Sequence, residues 1–437
     1  MPELSNDTIG IIGVIALLVL VFAGLRVYIA ASVVGLLGTV AIIGWDAGAG
    51  IIGTVPHSKS IQYTFSVLPL FILIGYLAFH AGITQSLFDA ARKWLGWMPG
   101  GLAVASVFAN AGFAAVSGAS TATAAVFSRI AIPEMLKAGY DKRLAAGVVA
   151  VAGTLASLIP PSALMVVYAI IVEASVGQLL VAGFLPGLLS AVGYGAIVVI
   201  WCLINPKLGP AIPGYTWGDR IRALPGTLPV VAVVLIIFSS MYFGWATPTE
   251  AAALGAFVVF ILALFNGMSM SSLYDALMET AKLTVMIFAL VWSVLIFVRF
   301  LGFAGLPERF AEFIVSLNMP PVMIMIMILL GYLVLGCFMD AIGMLLLTLP
   351  VVYPAVIKLG YDPIVFGVIV VKMCEVCLVT PPIGLNCFVV SSVRRDIPLQ
   401  TVFKGAMPFV IADFVLIGII LAYPEIILWL PKQMLAK

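Results

Sequence analysis

Two consecutive prolines, Pro160 and Pro161, interrupt a long apolar stretch that reads ASLIPPSALMVV. Each proline removes a backbone donor and costs about 3 kcal/mol or more inside a helix. Carbonyls freed at such a break can bind a cation, and the N–H groups that open the next helix can bind an anion. The hydroxyls of Ser157 and Ser162 flank the pair. Prolines also kink membrane helices for packing alone, but the hydroxyls favour a broken helix that binds ions.

The composition places this chain in a lipid bilayer. Of its 437 residues, 63% are hydrophobic and 9% are charged, and the mean hydropathy is +1.23. A span needs roughly 20 apolar residues, so the chain can hold about ten. The apolar runs are too continuous for the alternating strands of a membrane barrel. A net charge of +2 argues against a nucleic-acid partner. The acidic start, with no small-residue cleavage site after it, predicts that the first span is retained.

The sequence contains an internal repeat with an offset of 221 residues. IPEMLKAGYD, which ends at Asp141, matches VYPAVIKLGYD, which ends at Asp362. At the same offset the first proline pair falls on Pro381 and Pro382 in LVTPPIGLN. Each half therefore predicts a span, an amphipathic arm, a long apolar segment and a helix broken by Pro-Pro. The arms are expected at 85–97 and 307–318.

The charges predict that the two repeats face opposite ways. Loops rich in Lys and Arg stay in the cytoplasm. The first repeat's loop carries Lys137, Lys142 and Arg143, whereas the second repeat's loop has Lys358 beside Asp362. Inverted repeats with paired broken helices are the architecture of secondary transporters, which bind substrate and coupling ions near the bilayer midplane.

The long apolar segments 100–135 and 321–357 are predicted re-entrant hairpins, because each must leave and rejoin the same side. Their tips fall at Val116–Thr121 and Cys337–Ile342. Small hydroxyl residues at the first tip let the backbone approach an ion closely, although such residues also serve close helix packing. Asp340 at the second tip is an acid deep in an apolar run, which indicates a functional role.

The predicted fold is all-α and polytopic, with two inverted repeats that each contain a re-entrant hairpin and a Pro-Pro-broken helix. We expect N-terminal scaffold helices at 1–60 and the first repeat at 61–204. A connector with scaffold helices follows at 205–280, and the second repeat occupies 281–430.

The remaining polar residues offer little enzyme chemistry. Cys374 and Cys377 form a CxxC, but no second pair or neighbouring histidine completes a metal site. Lys372 and Glu375 lie three residues apart on one predicted helix, so they can simply pair with each other or can serve function. No catalytic triad, zinc motif or phosphate loop is present. Neither a membrane-embedded enzyme nor an assembly scaffold is favoured.

Several motifs together resemble the large membrane subunit of tripartite ATP-independent periplasmic (TRAP) transporters. They are PLFILIGYLAFHAG at 69–82, SGASTATAA at 117–125, ATPTEAAALGAF at 246–257, the segment that begins GCFMDAIGM at 336 and TPPIGLNCFVV at 380–390. The resemblance implies an elevator-type transporter of an organic acid, a carboxylate, driven by a sodium gradient in a bacterial or archaeal cytoplasmic (inner) membrane. It also implies two partners, a periplasmic substrate-binding protein and a separate small four-helix membrane subunit.

The resemblance and the broken helices together suggest the binding residues. Sodium is expected at Ser117, Gly118, Ser157 and Pro160, and a second sodium near Asp340 and Thr380. The substrate carboxylate is expected near Ser120, Thr121, Ser162 and Asn386, between the hairpin tips. The helix-breaking residues are Pro160, Pro161, Pro381 and Pro382. No metal other than sodium is expected. The alternative function is a sodium/carboxylate symporter of a related two-hairpin fold that works without a binding protein.

Overall fold

The computed structural model of the chain describes residues 5–336 and 338–435, and these ranges fold into helices without a strand. Seven of the described helices are long and apolar enough to cross a membrane. Four shorter apolar helices accompany them. The predicted all-α polytopic fold is confirmed.

Three helices precede the first repeat, and three lie in the connector between the repeats. The first three are α1 (Asn6–Phe22), α2 (Val27–Ile43) and α3 (Trp45–Ser60). The first repeat contains α4 (Val67–His80), α5 (Ile83–Leu95), α6 (Gly101–Ser117), α7 (Ser120–Lys137), α8 (Lys142–Ala152), α9 (Ala163–Ile171) and α10 (Val176–Ile204). The connector contains α11 (Trp217–Ala223), α12 (Leu228–Tyr242) and α13 (Pro248–Phe265).

The second repeat follows the first helix for helix. It contains α14 (Met270–Ala304), α15 (Leu306–Ser316), α16 (Pro321–Gly336), α17 (Ala341–Lys358), α18 (Pro363–Cys377), α19 (Leu385–Val393) and α20 (Leu399–Ala422), and α21 (Glu425–Leu435) ends the described chain. The predicted arms correspond to α5 and α15. The predicted hairpins correspond to α6 with α7 and to α16 with α17.

The two GYD loops use the same local chemistry, which explains why the repeat is visible in the sequence. Each loop turns at a glycine with positive φ, +83° at Gly139 and +84° at Gly360. The next acid then caps the following helix: Asp141 accepts the N–H of Arg143 at 2.7 Å, and Asp362 accepts the N–H of Ile364 at 2.8 Å. Such caps satisfy the free donors of a helix start.

The repeats interlock instead of standing side by side. The first part of one broken helix, α8, packs against α20 of the other repeat. Gly147 and Gly405 allow this approach, because a Cβ on Gly147 would lie 2.2 Å from the carbonyl carbon of Gly405. In the same way α19 packs against α7, and α17 packs against α9. Each hairpin therefore contacts the broken helix of the opposite repeat.

Two ion pairs join segments that are far apart in the sequence. The Lys142 ammonium, after the first hairpin, lies 3.9 Å from the carboxylate of Asp396, after the second broken helix, and donates to the backbone carbonyl of the same residue at 3.2 Å. The Arg394 guanidinium beside Asp396 lowers the pKa of that carboxyl, so it stays ionised. Arg309 in the second arm pairs with Asp7 at 2.5 Å, at the start of the chain.

Candidate functional site

The first broken helix has the interruption that its prolines predict. The α-helical part of α8 ends at Ala152, and a 3-10 turn continues to Ser157. The Pro160–Pro161 peptide bond is cis. α9 then begins at Ala163, where the Ser162 hydroxyl accepts the N–H of Met165 at 3.2 Å. The segment between the two helical parts is buried and interrupts the α-helical hydrogen bonds, as expected where a break frees backbone groups.

The tip of the first hairpin lies directly on this break. Gly118 has a φ of +60° and separates α6 from α7. A Cβ there would lie 2.6 Å from the carbonyl oxygen of Pro161, so only glycine permits the contact. The neighbouring Ser117 hydroxyl lies 2.8 Å from that of Thr123, a residue that the sequence interpretation did not include. The structure thus places Ser117 and Gly118 beside the first break, and sodium binding by the predicted set stays a prediction.

A carboxylate from the second repeat completes this region. Glu375, in α18, is fully buried and accepts a hydrogen bond from the Ser120 hydroxyl at 2.7 Å. It also accepts one from Ser157, and the two serine hydroxyls lie 2.8 Å apart. We call Ser120, Ser157 and Glu375 the oxygen cluster. Ser120 was predicted as a substrate-binding residue, and in the structure its hydroxyl contacts Ser157 and Glu375.

Lys372 and Glu375 do not pair with each other, which was one of the two roles that their spacing left open. The Lys372 ammonium lies 2.7 Å from the Asp413 carboxylate in α20 and 3.0 Å from the Tyr194 hydroxyl in α10. Tyr194 also donates to Asp413 at 2.6 Å. Spacing on one helix made Glu375 a plausible partner, but two other helices supply nearer ones. Asp413, an acid within an apolar helix, was the available signal that the sequence interpretation missed.

The second broken helix also has the predicted interruption. α18 ends at Cys377, the Pro381–Pro382 bond is cis, and α19 begins at Leu385. The Thr380 hydroxyl donates to the carbonyl of Val376 at 2.6 Å. Asp340 is exposed and caps α17 by accepting the N–H of Gly343 at 3.0 Å. A second sodium site at Asp340 and Thr380 stays a prediction, and Cys337 at that tip lies outside the described residues.

The other predicted substrate residues lie around the first site in different settings. Thr121 is exposed beside the hairpin tip. Ser162 is buried as the cap of α9. Asn386 is buried and donates to the carbonyl of Ala150 at 3.2 Å, and its side-chain oxygen has no hydrogen-bond partner among the described residues. Their role in binding substrate stays a prediction.

A cavity of about 200 Å³ opens between the first hairpin and the helices α4 and α14. Gly75 of α4 sits against the hairpin tip, because a Cβ there would lie 2.8 Å from the carbonyl oxygen of Ser117. Ala163, the first residue of α9, also lines the cavity. The cavity therefore reaches both the hairpin tip and the N-terminal end of a helix. Such an end favours anions.

Comparison with known proteins identifies the family. The family described as "Tripartite ATP-independent periplasmic transporter, DctM component" matches residues 10–426. The Pseudomonas aeruginosa "C4-dicarboxylate TRAP transporter large permease protein DctM" is 37% identical over 375 residues, which cover 85% of this chain and 87% of the relative. The Vibrio cholerae "Sialic acid TRAP transporter large permease protein SiaM" is 29% identical over 377 residues, covering 86% and 87%.

A solved structure of a different transporter shares the fold. Neisseria gonorrhoeae MtrF, titled as one of "a Class of Antimetabolite Efflux Pumps", aligns with a TM-score of 0.56 and 13% identity over 90% of this chain and 85% of that one. Large permeases of the matched family are multi-pass inner-membrane proteins and not enzymes, and they work with a small membrane subunit and a binding protein. The match spans nearly the whole chain. This protein belongs to the TRAP transporter family, as its DctM component, the large permease subunit.

Proposed function

We propose that this permease takes up an organic acid together with sodium, after a periplasmic binding protein delivers the substrate. The observation that carries the proposal is the contact between the Gly118 tip, the Pro160–Pro161 break and the oxygen cluster. Oxygen ligands suit hard cations such as Na⁺. The small membrane subunit that accompanies it has four helices in this proposal.

The oxygen cluster suits a bound cation when Glu375 is ionised, whereas a proton on Glu375 would complete the three contacts without one. Three oxygen contacts join Ser120, Ser157 and Glu375, but the two hydroxyls supply only two protons when the carboxylate is ionised. One contact then lacks a proton, and the buried negative charge lacks a partner within the cluster. A buried charge requires compensation. A sodium ion that shares these oxygens with nearby carbonyls would supply the missing positive charge.

The adjacent helix end supports an anionic substrate. α9 begins beside the cavity at Ala163, and the free N–H groups of its first turn favour a carboxylate. Relatives named for C4-dicarboxylate and sialic acid transport make organic acids the expected class. Sodium would bind at the free carbonyls of the first broken helix and the substrate carboxylate at the free N–H groups that follow the break. The two would bind cooperatively, because the charge of each reduces the electrostatic cost of burying the other.

The elevator motion that we propose moves the hairpins and broken helices together. The two repeats interlock through α8 with α20, α7 with α19 and α17 with α9. These contacts favour movement as one body. The helix α14, with α2 and α4 packed against it, would form part of the static scaffold, and the amphipathic arms α5 and α15 would connect the two bodies.

Uptake by proteoliposomes tests the proposal. The vesicles would contain this permease and its small subunit, with the binding protein and labelled acid added outside. Replacement of external Na⁺ by choline should abolish accumulation, and unchanged accumulation would refute sodium coupling. Omission of the binding protein distinguishes the two functions. A sodium/carboxylate symporter that works without a binding protein would retain its uptake, whereas the proposed TRAP permease would lose it.

A further inference from the structure

The oxygen cluster can close on itself when Glu375 carries a proton. The Ser120 hydroxyl lies 2.8 Å from the Ser157 hydroxyl and 2.7 Å from one oxygen of the Glu375 carboxyl, and Ser157 contacts the other oxygen. A protonated carboxyl donates one hydrogen bond. Two hydroxyls and one carboxylic acid therefore supply one proton for each of the three contacts, and the cluster is then neutral.

The depth of the cluster requires that its charge be compensated. The residue exposure is 6% at Ser120, 1% at Ser157 and 0% at Glu375. An isolated carboxylate that is removed from water carries a large energetic cost, and such groups become neutral instead. The site therefore needs either a cation or a proton at Glu375.

The charged side chains nearest to Glu375 already compensate one another. The Lys372 ammonium of α18 lies 2.7 Å from the Asp413 carboxylate of α20, and the neutral Tyr194 hydroxyl of α10 donates to the same carboxylate. One positive and one negative charge make this group neutral as a whole. The charge of an ionised Glu375 would be the one left over.

The other titratable groups on helices packed against α18 do not supply a cation to Glu375 either. The Tyr168 hydroxyl of α9 donates to the carbonyl of Pro363, and the Tyr332 hydroxyl of α16 accepts a hydrogen bond from Thr348. Cys374 of α18 is buried beside Glu375, but a thiol is neutral. The described charged residues elsewhere on α17, α20 and α21 are exposed.

The cavity at the first hairpin tip provides access to the oxygen cluster. Ser117, Gly118 and Ala119 line the cavity, and Ser120 follows directly in the chain. A volume of about 200 Å³ is large enough to hold water. Sodium ions and protons can therefore come within one residue of the cluster.

We infer that Glu375 binds a sodium ion and a proton in turn, so that each sodium ion that enters the oxygen cluster releases one proton. This inference rests on the proposed function and adds a second ion, H⁺, to its site. The incoming sodium ion replaces the proton on the carboxyl oxygen, and the proton passes to water in the cavity. The cluster is neutral before and after the exchange, as its burial requires.

Two measurements on the purified permease, with its small subunit, in nanodiscs of uncharged phosphatidylcholine test the inference. The first is the sodium concentration for half-maximal thermal stabilisation, from about pH 5 to about pH 9, the range in which buried carboxyls titrate. Below the pKa of Glu375 this concentration should rise about tenfold for each unit of pH lost, and above that pKa it should be constant.

The second measurement detects the released proton with a pH indicator in weakly buffered solution at the acid end of that range. Addition of sodium chloride should release about one proton per permease, because a metal ligand must lose its proton to bind. Addition of choline chloride should release none. The two wild-type measurements do not depend on whether a variant folds.

Three variants locate the proton. E375Q has no acidic proton at the cluster and should release none on addition of sodium. K372M with D413L removes the adjacent charged pair and should release the proton as wild type does. H57Q with H80Q removes both histidines, the residue type that ordinarily titrates near neutral pH, and should also behave as wild type.

Several results would overturn the inference: a sodium midpoint that does not change with pH, sodium binding by wild-type protein without proton release, or E375Q protein that still releases a proton. Loss of the release in folded K372M–D413L or H57Q–H80Q protein would also assign the proton to another group. In each of these cases the proposed sodium site could stand. Wild-type protein without a response to sodium at any pH would instead contradict the proposed function, and this inference with it.

Discussion

The Ser120 hydroxyl in the first repeat donates a 2.7 Å hydrogen bond to the Glu375 carboxylate in the second repeat. The bond joins the start of a hairpin helix to the helix that precedes the second proline pair. Together with the contact from Ser157, it places one buried carboxyl group where the first hairpin tip meets the first break. An ion bound there would engage both repeats at once.

Glu375 is the first residue to test. E375Q keeps the shape and a side-chain oxygen but removes the negative charge, so we expect the sodium concentration for half-maximal thermal stabilisation to rise at least tenfold, about 1.4 kcal/mol. The measurement is melting temperature against sodium at constant ionic strength. E308Q changes an exposed glutamate on α15 and should behave as wild type. An unchanged sodium response in E375Q would remove Glu375 from the ion site.

The contact between the hairpin tip and the first break is tested at Gly118, with Gly139 as the matched control. Both have positive φ, so alanine costs roughly 1–2 kcal/mol at either position. Only at Gly118 would the new Cβ meet another segment, 2.6 Å from the Pro161 oxygen, because nothing lies within 4 Å of it at Gly139. We expect G118A, and not G139A, to weaken sodium-dependent stabilisation. Equal responses of the two variants would show that the contact does not shape the ion site.

The proline pairs can be tested without deleting any side chain that binds an ion. Replacement of Pro160 and Pro161 by alanine restores two backbone donors and removes about 3 kcal/mol per proline within a helix. Stability should be kept or raised, while sodium-driven uptake collapses because the new N–H groups occupy the freed carbonyls. P186A, within α10, is the control and should keep uptake. Wild-type uptake per folded double variant would contradict this account.

Lys372 and Asp413 should contribute to stability and not to sodium affinity. Both are 1% exposed, so K372M leaves a buried carboxylate without its cation and should destabilise the protein by about 3–5 kcal/mol. K372M with D413L removes both charges and should recover most of that loss. Thermal melts of the three proteins measure both effects. A double variant less stable than K372M alone, or a shifted sodium midpoint, would be inconsistent with a structural pair.

The orientation of the repeats is tested by labelling. Lys137 and Lys358 are equivalent under the repeat, and both are exposed. Inverted repeats place them on opposite membrane faces, so cysteines introduced at the two positions should react with an impermeant maleimide from opposite sides of the membrane. A background without the native cysteines provides the control. Labelling of both positions from one side would show that the repeats are parallel.

The sequence by itself was sufficient for features that depend on local chemistry. A missing N–H at each proline pair, a glycine turn before each capping aspartate and a continuous apolar run around them act over a few residues. The 221-residue offset between Asp141 and Asp362 repeats that chemistry, so the broken helices and hairpins could be predicted. In these elements, the residues that determine the local backbone structure are close in sequence to the residues that adopt it.

Only the tertiary structure decided which side chains meet. Ser120 and Glu375 are 255 residues apart in sequence, and Lys372 is paired with Asp413 instead of the nearby Glu375. Helical spacing shows that Lys372 and Glu375 share a helix, but the partners of Glu375 come from the opposite repeat, whereas those of Lys372 come from α20 of its own repeat and from α10 of the opposite one. The cavity at the first hairpin tip likewise exists only because α7 packs near α4 and α14. Contacts between distant segments depend on how the interlocked repeats pack, and a local sequence pattern does not determine that packing.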